Sequence, residues 1–266
     1  EDDFLNQFPD NDFKEKFGTI GSGNHFAEFQ SVDKIICEEN FSKNGLDKKF
    51  LYLLVHSGSR GYGNRIFDDC FNVPEFSKGF VYGSPSFDNY ISGHNRALLW
   101  AELNRKAVAV KLLSLLNMNC DAERVLDLSH NYIEEKGSDD KKFFLHRKGA
   151  VSGEKGLIVI PGSRGSYSYL AEPVNSAAGS LYSVSHGAGR KWERSSCRRK
   201  LENKYTRDSI GSNKFGSRVI CNDVNVLFEE APEAYKNIDQ VIADLVSAEL
   251  IKVIAVLKPV LTYKDV

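Results

Sequence analysis

Short apolar runs that stop at a polar, glycine-rich loop recur along this chain, and that pattern limits the folds open to it. Phe50 to Val55 runs into His56-Ser57-Gly58-Ser59-Arg60-Gly61, and Val125 to Leu128 runs into Ser129-His130-Asn131. Leu157 to Ile160 runs into Pro161-Gly162-Ser163, and Lys142 to Leu145 reads as a further strand. Runs this short are too brief for a helix and suit strands. Helical spacing appears elsewhere. From about His94 to Leu116, Leu99, Leu103, Val110 and Leu113 lie near one face, with Arg96, Glu102 and Lys106 away from it. A second helix is predicted from about Ile238 to Leu257 on Val241, Leu245, Ala248, Ile251 and Ile254, stopped by Pro259. No repeat or low-complexity linker divides the chain. The reading is one α+β domain over residues 1–266, with mixed β-sheets and flanking helices.

Charge adds little: 35 Lys+Arg against 36 Asp+Glu leave a net charge of −1, so a nucleic-acid partner must be argued from local patches. No apolar run approaches the roughly 18 residues of a membrane span. The acidic start, Glu1-Asp2-Asp3, is unlike a signal peptide. Five scattered cysteines without a C-x-x-C pair argue against a disulfide scaffold or zinc ribbon and fit a reduced cytoplasm. The only methionine is Met118, so the chain is read as a fragment or processed product.

Four of the six histidines sit at turns beside small residues: His25 after Gly21-Ser22-Gly23-Asn24, His56, His130, and His186 before Gly187-Ala188-Gly189-Arg190. Each alone reads as an ordinary loop histidine. Together, on loops positioned by strands, they suit ligand or metal contact, with ligands converging from distant segments. The glycine strings Gly18-x-x-Gly21-x-Gly23 and Gly58-x-x-Gly61-x-Gly63 reverse the dinucleotide fingerprint, and no P-loop is present. What remains is backbone able to offer N–H groups to phosphate, in those strings and in Pro161-Gly162-Ser163-Arg164-Gly165. Arg190, Arg194 and Arg198 would form one basic stripe on a helix, thickened by Lys191, Arg199 and Lys200. Both a solvated face and an RNA-binding face fit that stripe.

Taken in order, these strings resemble the RtcB family of GTP-dependent RNA ligases. The matching blocks are Gly18 to Phe26 with Glu28, His56 to Gly61, Ser129-His130-Asn131 and His146-Arg147-Lys148-Gly149-Ala150. The Pro161 loop, His186 to Arg190, and Glu230-Ala231-Pro232-Glu233-Ala234-Tyr235-Lys236 follow. The resemblance implies sealing of RNA 3′-phosphate or 2′,3′-cyclic phosphate ends to 5′-hydroxyl ends, with GTP and two manganese ions per complete site. It makes His186 the nucleophile that carries GMP, and His25, His56 and His130 the metal-binding histidines. Around the nucleotide it places Asn24, Glu28, His130, Asn131, Pro161, Ser163 and Ser168. His186, Gly187, Ala188, Gly189, Tyr235 and Lys264 complete that set. Arg60, Arg190 and Arg194 are the candidates for RNA phosphates.

Two departures stand out. Arg164 occupies a position where most members carry methionine; with Gly93-His94-Asn95-Arg96, this resembles the branch associated with release factor H. The family's Asp-x-Gly-Cys-Gly string, with its bridging cysteine, is absent, and Cys37 falls after the His25 block. The expectation is therefore an N-terminally truncated member. Two other readings stay open: a non-catalytic RNA-binding fragment, and a metal-dependent phosphodiesterase that uses the same histidines without GTP.

Overall fold

A computed structural model describes residues 11–118, 122–138, 141–154, 156–174 and 178–264. After one helical turn at Asn11–Lys14, the elements in chain order are β1 (Phe26–Ile35), α1 (Glu38–Lys43), β2 (Leu51–His56), α2 (Tyr62–Phe71) and α3 (Pro85–Leu115). Then come β3 (Asn131–Lys136), β4 (Phe143–Lys148), β5 (Ala150–Ser152), β6 (Ile158–Pro161), β7 (Ser168–Pro173) and β8 (Ser183–Ser185). The last are α4 (Arg194–Leu201), β9 (Arg218–Ile220), α5 (Val224–Glu229), α6 (Ile238–Ser247) and β10 (Ile251–Tyr263). This is the mixed α+β class that the sequence predicts. Among the described residues no helix is long and apolar enough to cross a membrane.

Contacts divide the chain into two compact units. One comprises the described parts of Glu1–Gly21 and Val55–Ala122; the other, those of Ser22–Leu54 and Glu123–Val266. The first unit is built on α3. Ser84 caps it by accepting a hydrogen bond from the Phe87 N–H, and Pro85 supplies a first-turn residue that needs no donor. Its buried face is not the leucine stripe that the sequence suggests. Ala97, Trp100, Ala101, Asn104, Ala107 and Val108 are buried, while Leu99 and Val110 are exposed. Small residues let neighbouring chain approach the helix closely, and Asn104 is held by polar partners. Its side chain accepts from Gly18 N–H at 2.8 Å and donates to the Thr19 carbonyl at 3.1 Å and to Ser57 Oγ at 3.0 Å. One buried amide thereby joins the Gly18 and His56 strings.

In the second unit the main sheet has the order β2-β1-β10-β7-β6, with β9 parallel to β10. Alternation along β6 and β7 explains its burial on both faces. Ile158, Ile160 and Ala171 enter one core with Ile238, Ile242 and Ile251, whereas Leu170 enters a second with Val32, Phe41, Ile254 and Leu257. Two short ladders, β3–β4 and β5–β8, stand apart from that sheet.

Two sequence assignments need correction. Val125–Leu128 forms no strand. The long helix predicted to Leu257 ends at Ser247, and β10 begins at Ile251. Glu249 adopts a left-handed backbone (φ +56°) that turns the chain, and the β-branched residues Ile251, Val253 and Val256 then pair as a strand, with Ile254 at a bulge between Val253 and Ala255.

Candidate active site

The β5–β8 ladder pairs Ala150 with Ser185, which sets His186 beside Gly149. His186 Nδ1 lies 2.7 Å from the Gly149 carbonyl, so that nitrogen carries the proton and Nε2 holds the lone pair. Burial holds the ring's proton affinity below the usual imidazole value, against the Gly149 hydrogen bond, which acts to raise it. The ring stacks on His130, with centroids 4.2 Å apart and planes 24° from parallel. Gly149 is held in turn: its N–H donates to the His130 carbonyl at 2.8 Å and to Asn131 Oδ1 at 3.0 Å. Its φ of +69° and a contact of 3.4 Å between an added Cβ and the His186 ring leave little room for a side chain there.

From His186 the backbone docks on the Pro161 loop. Ala188 N–H donates to the Pro161 carbonyl at 3.1 Å, and a Cβ on Gly187 would come within 2.9 Å of that oxygen. Pro161 pairs with Ser168 across β6 and β7. Ser168 Oγ accepts from Gln30 Nε2 at 2.8 Å, and Gln30 Nε2 also donates to Glu28 Oε1 at 2.7 Å. The β1–β10 register sets Glu28 opposite Thr262, whose hydroxyl donates to the other carboxylate oxygen. Lys264, just beyond β10, donates to the His25 carbonyl at 2.9 Å. A single chain of contacts thus runs from Ala188, just past His186, to the buried Glu28 carboxylate. Pro161, Ser168 and Glu28 come from the sequence, while Gln30 and Thr262 are additions. Nothing in a one-dimensional pattern marks a glutamine or threonine whose partner lies across a ladder.

Burial pushes the Glu28 carboxyl up to about 7, although Thr262, Gln30 and Lys264 each favour its ionised form. Burial also pulls the Lys264 ammonium down to about 8. Glu28 therefore favours the folded state at low pH, and that contribution is lost as pH rises from the ordinary carboxylate range through about 7.

The remaining candidates are distributed as follows. Arg190 is committed internally: it bonds Glu230 at 2.9 Å, Tyr235 Oη at 3.1 Å and the Glu229 carbonyl at 2.8 Å. Tyr235 donates to the other Glu230 oxygen. Arg194 is half exposed, 3.4 Å from both Glu230 and Asn24 Oδ1. Ser163 Oγ pairs with Ser166 Oγ at 3.0 Å. Arg164 points away from this loop, into the core around α4 and α5, where it donates to the Ile210 and Leu227 carbonyls. His56 and Arg60 belong to the first unit; there Arg60 Nε donates to Thr19 Oγ1 at 3.2 Å from a left-handed backbone. Three imidazoles are chemically suited to a borderline divalent ion. Among the described residues, however, no group of three or more His, Cys, Asp or Glu side chains is arranged to hold one.

The family model described as tRNA-splicing ligase RtcB matches residues 3–265. The chain is 42% identical over its whole length to an RNA-splicing ligase RtcB2 of Escherichia coli, of which it covers 69%. It is 31% identical to a tRNA-splicing ligase RtcB of Archaeoglobus fulgidus, with 92% of this chain and 58% of that protein aligned. A Nanoarchaeum equitans tRNA-splicing ligase RtcB is 32% identical, over 94% of this chain and 60% of its own length.

Proposed function

The chain belongs to the RtcB family of tRNA-splicing ligases, and on that premise we propose that it joins RNA 3′-phosphate or 2′,3′-cyclic phosphate ends to 5′-hydroxyl ends, consuming GTP through His186. The observation that carries this reading is the bond between His186 Nδ1 and the Gly149 carbonyl. It fixes the tautomer with Nε2 as the base, and burial favours the neutral ring. Nε2 attacks the α-phosphorus of GTP; an N–P bond forms as the bond to pyrophosphate breaks, and pyrophosphate leaves with the electron pair. Positive charge gained by the ring is shared with Nδ1–H, whose bond to the carbonyl strengthens as that charge develops. A cyclic phosphate is first opened by water to the 3′-phosphate. A 3′-phosphate oxygen then takes GMP from Nε2, and the 5′-hydroxyl attacks the activated phosphate. GMP is released, and the hydroxyl proton passes to water.

Guanine recognition is proposed for the Glu28 pocket, where an ionised carboxylate accepts from the guanine N1–H and exocyclic amino group while Lys264 lies beside it. Asn24, Ser163 and Tyr235 are proposed as further nucleotide contacts, with Arg60, Arg190 and Arg194 for RNA phosphates; Arg194 is the more exposed of the latter two in the second unit. Manganese belongs to this proposal through the family resemblance alone, because the described residues show no group of side chains arranged to hold it. A cytoplasmic setting is proposed on the scattered cysteines alone.

The test is covalent labelling. With GTP and Mn²⁺, the full-length protein is expected to take up label from α-labelled but not γ-labelled GTP, in an acid-labile, alkali-resistant bond. Absence of label would leave the RNA-binding and phosphodiesterase readings and sink this one. A second result concerns the base. Glu28→Gln is expected to cut the preference for GTP over ATP by about 10–100-fold, since each mispaired buried polar group costs roughly 1–3 kcal/mol. In the unaltered protein, GTP affinity is expected to fall about tenfold per pH unit below the Glu28 value of about 7 and to level off above it. Titration calorimetry across pH 5.5–8 checks this, and a flat profile would remove Glu28 from the pocket.

A further inference from the structure

The basic run after His186 divides into two populations. Arg190 and Arg194 are tied to Glu230, Arg198 to Asn225, and Lys204 to Glu233. Lys191, Arg199 and Lys200 are exposed, and among the described residues no carboxylate lies within ion-pairing distance of them. Between them sits Trp192. Its indole is half-buried against the core that contains Leu201 and Ile210, and its backbone N–H donates to the Ala234 carbonyl. The Lys200 ammonium lies 4.6 Å from the indole centroid and that of Lys191 5.2 Å. A merely solvated face does not require an indole packed against the core with two exposed ammonium groups near its ring.

We propose that Lys191, Trp192, Arg199 and Lys200 form a platform for single-stranded RNA outside the nucleotide pocket. A base stacks on the indole and its flanking phosphates meet the two lysines. Stacking on an aromatic ring is indifferent to base identity, and paired cations follow the sugar–phosphate backbone. Without RNA the ring holds the ammonium groups by cation–π contact; a base that covers the ring releases them to phosphate. Arg199 adds charge at the edge. The choice of RNA as occupant rests on the ligase reading, while the platform geometry does not.

The test uses the whole chain and a short single-stranded RNA bearing a 3′-phosphate. Of the two tryptophans, Trp100 is fully buried, so Trp192 emission reports the platform. RNA is expected to quench that emission, and Trp192→Phe, which keeps aromatic packing against Leu201, should bind with similar affinity but without the quenching. Lys191→Gln with Lys200→Gln is expected to weaken binding about tenfold near 0.1 M salt. It should also lower the slope of log affinity against log salt by about 1.4, at roughly 0.7 per lost phosphate contact on a single strand. GTP labelling should be unchanged in these variants. Quenching without any labelling of the unaltered protein would strike the ligase reading and leave the platform standing. No quenching by RNA, or an unchanged affinity and slope in the double variant, overturns the proposal. Displacement of the RNA by oligoglutamate of equal charge also overturns it, and would assign the face to an acidic protein partner.

Discussion

His186→Ala is expected to abolish formation of the covalent GMP adduct, a loss of at least about 10³-fold, as befits removal of the proposed nucleophile rather than of a binding contact. The neighbouring ring cannot simply substitute. His130 stacks 4.2 Å from His186, but the Gly149 carbonyl that sets the tautomer is bonded to His186 Nδ1. The substitution removes a half-buried ring and one hydrogen bond, which costs stability of about 1 kcal/mol. The fold should therefore survive, with a melting transition still cooperative and only slightly lowered. GTP binding should persist through the Glu28 pocket. Label retained by a folded His186→Ala protein would move the nucleophile elsewhere.

The largest stability effect is expected at Ile254. It is fully buried in the core shared by β1, β7 and β10, and its carbonyl accepts from the N–H groups of Ile36 and Cys37. Truncation to alanine leaves both backbone bonds intact and opens a cavity, for which losses of about 2–5 kcal/mol are usual. Lys252→Ala, at an exposed position two residues earlier on the same strand, should change stability by no more than about 0.5 kcal/mol. Urea unfolding of both variants decides the matter. A loss below about 1 kcal/mol at Ile254 would mean that the strand is not packed as described.

That same segment shows where sequence reading fails. From Ile238 to Ser247 helical spacing is correct, because Ile238, Val241, Ile242 and Leu245 do meet the core from one face. Ile251 and Ile254 continue the same arithmetic by coincidence. The interruption comes from Glu249 in a left-handed conformation, which neither glycine nor proline announces. On α3 the error is different: burial follows Trp100, Asn104 and small residues rather than the stripe that includes Leu99 and Val110. Strands that end in polar, glycine-containing loops were legible where the run was compact, as at β2, β4 and β6. The gathering of Glu28, Ser168 and Lys264 was legible only as likeness to a family. The residues that bring them together, Gln30 and Thr262, act through strand register, which one chain's order of residues does not encode directly. Gly149 lay within a recognised string, yet its task of orienting His186 depends on the β5–β8 pairing.

β10 is the strand on which these themes meet. Over 13 residues it pairs with β1, β7 and β9, places Ile254 and Leu257 in a core, and brings Thr262 to Glu28. With the role proposed for Glu28, durability and nucleotide discrimination are inherited together along a single stretch of chain. Substitutions in residues 251–263 selected only for heat tolerance should repeatedly alter the choice between GTP and ATP, whereas equally stabilising changes on the outer face of α6 should leave it alone. On that proposal, this strand is where hardening the protein and broadening its appetite for nucleotides are coupled, and where random drift has the least freedom.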